Sequence, residues 1–83
     1  MSIKNVDAAF ALVLIGEDVH VSARSNGSIN VQLIAERLGG GGHFDMAGAA
    51  IKESTLDEAQ ELLTKAIDNY FESLSDEEEE NDL

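Results

Sequence analysis

Four consecutive glycines, Gly39-Gly40-Gly41-Gly42, followed by His43, restrict this chain more than any other stretch of it. Glycine loses more backbone freedom on folding than any other residue, so an ordered run of this kind needs a use that only glycine serves. Without a Cβ, successive N–H groups can turn toward a phosphate or carboxylate and form an anion-binding concavity, with a histidine ring nitrogen at its rim. A helix C-cap accounts for Gly39 and leaves the others unexplained. A flexible linker would account for the whole run. The neighbours argue against it: a helical pattern leads into the glycines, and an apolar segment, Ala47-Gly48-Ala49-Ala50-Ile51, leaves them.

At 83 residues the chain is one small domain with room for a single modest core. It has no cysteine, and its two histidines, His20 and His43, lie far apart in sequence. A metal site of ordinary ligand spacing is therefore not expected, nor a disulfide framework, which fits a reducing, cytoplasmic compartment. The longest apolar run, Ala8 to Ile15, is too short to span a bilayer and lacks the basic flank of a signal peptide, so no membrane contact is expected of this piece. Met1-Ser2 gives way almost at once to core-like sequence, as in a piece of a longer protein.

The net charge is −12, and its distribution matters more than its size. Residues 76–83 hold six of the 17 acidic residues and read as a disordered, solvated tail, because clustered like charges repel and bury nothing. The domain proper, 1–75, keeps 11 acidic against five basic residues, a balance of −6. An acidic body opposes broad contact with a nucleic-acid backbone, so a phosphate-bearing ligand must be held locally, by a pocket.

Ala8 to Ile15 is continuously apolar, as expected of a central strand covered on both faces. Gly16-Glu17-Asp18 is a turn, and Val19 to Ser25 alternates with period two, placing Val19, Val21 and Ala23 in the core and His20, Ser22 and Arg24 on the other face. Asn26-Gly27 ends this hairpin. Asn30 caps a helix whose apolar positions Val31, Ile34, Ala35 and Leu38 follow helical spacing. After the glycines, Ala47 to Lys52 reads as a strand of small residues, and Thr55 with Glu58 forms a capping box for a helix with Leu56, Ala59, Leu63, Ala66, Ile67, Tyr70 and Leu74 on one stripe. The order strand, strand, helix, glycine loop, strand, helix predicts an α+β fold, a sheet of three or four strands with two helices on one face.

The polar groups that folding does not need fall in two segments, Ser22-Ala23-Arg24-Ser25 on the second strand and Gly40-Gly41-Gly42-His43 on the loop. Arg24 has two readings, a bidentate phosphate fork and a surface arginine balancing nearby acids. Ser25 can donate to a phosphate or begin the turn, and the turn is the better use. His43, next to the glycines, reads as a ligand contact. His20 reads as a surface residue, and Asp45 can orient the His43 imidazole or end the loop, the latter being the better use.

Together, Ser22-Ala23-Arg24-Ser25, the helix Val31 to Leu38 and the glycine-histidine run with its Ala/Gly-rich strand resemble the DHH-associated domain, subfamily one, over residues 8 to about 72. The spelling is most like that of the membrane-anchored cyclic di-AMP phosphodiesterases. Relatives include nanoRNases, RecJ-type exonucleases and the C-terminal region of alanyl-tRNA synthetase. The resemblance implies a substrate-binding lobe, C-terminal to a DHH catalytic domain of the same chain, which holds the divalent metal, manganese by preference, and does the hydrolysis. It implies Arg24, Ser25, Gly40, Gly41, Gly42 and His43 as substrate contacts, with no catalytic residue, metal ligand or cofactor in this piece. The implied ligand is a cyclic dinucleotide or a short oligonucleotide, and the implied location is the cytoplasmic side of a membrane-anchored parent.

Overall fold

The computed structural model describes the backbone of residues 7–81 and the side chains of residues 7–74. β1 (Ala8–Ile15) and β2 (Asp18–Ser25) pair antiparallel across the Gly16-Glu17 turn, as the alternation in β2 requires. α1 (Val31–Arg37) follows, capped by Asn30, whose side chain accepts from the N–H groups of Gln32 and Leu33. β3 (Gly41–His43) and β4 (Met46–Ile51) form a second hairpin, and α2 (Leu56–Asn81) closes the fold. The capping box at its start is reciprocal: Thr55 N–H donates to Glu58 Oε1 at 3.2 Å, and Glu58 N–H to Thr55 Oγ1 at 3.1 Å.

The sheet order is β1-β2-β4-β3, all antiparallel, so β1 is an edge strand and not the expected central one. Its burial alternates where the sequence looks uniform: Ala8, Phe10 and Leu12 turn toward the core, whereas Ala9, Ala11 and Val13 face outward. An unbroken apolar run thus misled, because alanine on an open face looks in sequence like alanine in a core. Both helices pack on the other face. The core consists of Val19, Val21 and Ala23 of β2, Val31, Ile34 and Ala35 of α1, Ala47 of β4, and Ala59, Leu63, Ala66 and Tyr70 of α2. Leu56 and Leu74, expected in the α2 stripe, are exposed. The α2 backbone runs on to Asn81 through the acidic stretch read as a tail; the side chains there lie outside those described, as do Asp82 and Leu83 entirely.

Tyr70 does more than fill space. Its hydroxyl accepts the Asn30 N–H at 3.0 Å, tying α2 to the start of α1. Tyr70→Phe keeps the ring and strands that N–H, so it is expected to cost about 1–2 kcal/mol in urea denaturation. An unchanged midpoint would show that water replaces the hydroxyl.

At the opposite end, Asp18 ties the first hairpin to the β4–α2 turn, its carboxylate accepting the Glu53 N–H at 3.0 Å and the Lys52 ammonium at 3.4 Å. Those two donors, the Glu53 amide foremost, hold the Asp18 carboxyl below its usual range. Glu53 itself has φ 49°, a left-handed backbone unfavourable for a residue with a Cβ. The strain is roughly 1–2 kcal/mol, against about 0.5–1 kcal/mol of extra chain entropy lost by glycine. Glu53→Gly is therefore expected to raise stability, by about 0.5–1 kcal/mol. A lower denaturation midpoint would contradict that balance.

Candidate phosphate-binding site

Paired residues of an antiparallel sheet share a face, so the register locates the site. Ala9 pairs with Arg24, Arg24 with Met46, and Met46 with His43. One row across the uncovered face therefore reads Ala9, Arg24, Met46, His43. The next row is Ala11, Ser22, Gly48, Gly41. Arg24 and His43 lie 19 positions apart in sequence, yet they stand two strand spacings apart, roughly 10 Å between backbones. Both side chains are exposed. Neither takes part in an ion pair among the described residues, where the pair found is Lys52 with Asp18. A guanidinium and an imidazole on one face, without protein partners among the described residues, have donors of the kind an anion takes.

The fold constrains the four glycines unequally, in a way the sequence does not disclose. Gly39 is the helix cap, with φ 87° and its N–H on the Glu36 carbonyl at 3.1 Å. Gly40 N–H donates to the Ala35 carbonyl at 2.9 Å, so it is committed to the helix end. A Cβ on Gly40 would run into the Gly48 carbonyl and lie 2.6 Å from Ala49 Cα. Gly42 has φ 148°, and a Cβ there would lie 2.5 Å from Ala47 Cα. These three are glycine because the β3–β4 hairpin and the helix end leave no alternative. Gly41 differs: a Cβ would meet nothing within 4 Å, and its φ is not in the left-handed range. The fold has no need of glycine at 41. In an antiparallel ladder successive N–H groups point to opposite edges, so one of Gly41 and Gly42 turns its N–H away from β4.

Ser25 is set apart from this group. It pairs with Ala8 on the core-side row, and its Oγ accepts the N–H groups of Gly27 at 3.0 Å and Ile29 at 3.2 Å. Its hydroxyl oxygen thus serves the turn. Asp45 sits in the two-residue turn after His43, and its carbonyl accepts the Ser25 N–H at 2.9 Å. No hydrogen bond among the described residues joins Asp45 to His43. Sequence reading missed Met46, which occupies the space between Arg24 and His43; only the pairing register, set by residues far away in sequence, could have shown it.

Residues 1–73 match the DHHA1 domain, and the chain belongs to that family. It is 45% identical over 73 residues to the cyclic-di-AMP phosphodiesterase GdpP of Geobacillus thermodenitrificans, covering 87% of this chain and 11% of that protein. It is 44% identical over 72 residues to the cyclic-di-AMP phosphodiesterase PdeA of Listeria monocytogenes, covering 86% of this chain and 11% of the relative. A third relative, the bifunctional oligoribonuclease and PAP phosphatase NrnA of Thermus thermophilus, is 49% identical over 51 residues, covering 61% of the chain and 16% of that protein. The chain thus spans about a tenth of the length of the first two.

Proposed function

We propose that this chain is the substrate-binding lobe of a metal-dependent DHH-family phosphodiesterase that opens cyclic di-AMP to its linear dinucleotide. The observation that carries the reading is the row Arg24, Met46, His43 on the uncovered face, beside a glycine at 41 whose absence of side chain serves nothing in the fold. An arginine and a histidine side chain without partners among the described residues, on one face beside Gly41, suit a phosphodiester. Two relatives are cyclic-di-AMP phosphodiesterases, and they supply the cyclic dinucleotide. Hydrolysis falls to a DHH domain of the parent chain holding a divalent metal, manganese by preference; among the described residues of this lobe no three His, Cys, Asp or Glu side chains gather as metal ligands. No helix among the described residues is long and apolar enough to cross a membrane. The proposal includes a membrane-anchored parent with this lobe on its cytoplasmic side.

Amide and side-chain shift mapping of the chain with cyclic di-AMP tests the reading. The perturbed signals are expected at Arg24, Gly41, Gly42 and His43. Shifts confined to His20 or to α2 would overturn it. A second reading, a lobe for short linear oligonucleotides, is favoured by the oligoribonuclease relative. Competition between cyclic di-AMP and linear pApA for the same signals decides between them. Long polyanions are disfavoured under either reading by the acidic body, since phosphate contacts along a backbone need many cations.

A further inference from the structure

Met46 and Phe44 are large apolar side chains that the fold leaves about half exposed, at 50% and 46%. Neither belongs to a core cluster. Met46 is the middle residue of the row, with Arg24 on one side and His43 on the other. Phe44 follows His43 directly and occupies the hairpin turn. That turn is fixed at both of its residues: the Phe44 carbonyl accepts the Val31 N–H at 3.0 Å, and the Asp45 carbonyl accepts the Ser25 N–H at 2.9 Å. An apolar patch held on a pinned turn and flanked by an arginine and a histidine is amphipathic in the same sense as a nucleotide, which joins a flat apolar ring to an anion.

We propose that Met46 and Phe44 form the seat of a nucleobase, Met46 as its floor and Phe44 at its rim, while Arg24 and His43 hold the adjoining phosphate. The proposal rests on the phosphate reading above and adds to it the part of the ligand that the phosphate donors leave unaddressed. A thioether packs well against an aromatic ring, and a phenyl ring accepts any base by stacking, so the seat favours bases over sugars without choosing among bases. The alternative in which both residues merely sit on the surface gives a different result for ligands with and without a base.

The full 83-residue chain is titrated with adenosine 5′-monophosphate and with ribose 5-phosphate, which share the phosphate and the sugar and differ in the base. The Met46 methyl signal is the direct reporter, with Met1, the other methionine, as internal control. It is expected to move upfield with the nucleotide and stay in place with the sugar phosphate. Met46→Ala and Phe44→Ala are each expected to weaken the nucleotide by about three- to tenfold and to change the sugar phosphate by less than about twofold. Met46→Leu, which restores an apolar floor, should recover most of the loss. Equal weakening of both probes overturns the base seat, as does an unmoved Met46 methyl at saturating nucleotide. Arg24→Ala separates the two layers. Loss of both probes beside an unmoved methyl sinks the base seat alone, whereas no loss of either probe sinks the phosphate reading beneath it.

Discussion

Gly40→Ala is expected to destabilise the fold by about 3 kcal/mol or more, the upper end of overpacking costs, while Gly41→Ala leaves stability nearly unchanged. The two glycines are neighbours in sequence and differ sharply in what a Cβ would meet. At 40 it meets the Gly48 carbonyl and the Ala49 backbone, which cannot rotate away as a flexible side chain would. At 41 it meets nothing within 4 Å. For a domain of this size the first change corresponds to a fall in midpoint of on the order of 10–20 °C. Thermal denaturation followed by circular dichroism compares the variants directly, and equal midpoints would show that β3 lies elsewhere. Gly41→Val extends the contrast: a branched residue suits a strand, so the fold should hold while ligand approach is blocked. Substitution at 40 is thus a stability experiment, and substitution at 41 a binding experiment.

That contrast marks where the sequence stopped being legible. The β1–β2 hairpin, the Asn30 cap and the Thr55/Glu58 box were readable because each is a contract among residues a few positions apart, and all are present. The alternation His20, Ser22, Arg24 likewise placed Arg24 on the outward face. What could not be read is everything set by β4 lying between β2 and β3. That arrangement makes β1 an edge, turns part of the glycine run into a strand, closes off Gly40 and Gly42, and inserts Met46 between Arg24 and His43. Ser25 and Arg24 are adjacent in sequence and so stand on opposite faces of the sheet, a consequence of period-two geometry that motif reading overlooks. The motif marks a neighbourhood; the register decides which of its residues share the uncovered face.

In the parent enzyme, Arg24→Ala and His43→Ala are each expected to lower kcat/KM for cyclic di-AMP by about 10- to 150-fold, the equivalent of about 1.5–3 kcal/mol for a hydrogen bond to a charged group. The magnitude follows from what each side chain gives up elsewhere, which is little. Arg24 has no ion pair among the described residues and His43 no side-chain hydrogen bond there, so their removal leaves no buried group stranded and should cost the fold almost nothing. A surface arginine that merely balanced nearby acids would behave otherwise, costing less than about 1 kcal/mol in any assay. Under the proposal that both donors address one phosphate, the double variant should lose less than the product of the single losses. Gly41→Val should lose at least as much as either, through obstruction and not through a missing donor. Steady-state kinetics on the four variants, with melting temperatures measured alongside, carry the test. Single variants that keep kcat/KM within about twofold of the parent at unchanged melting temperature would remove Arg24 and His43 from the site.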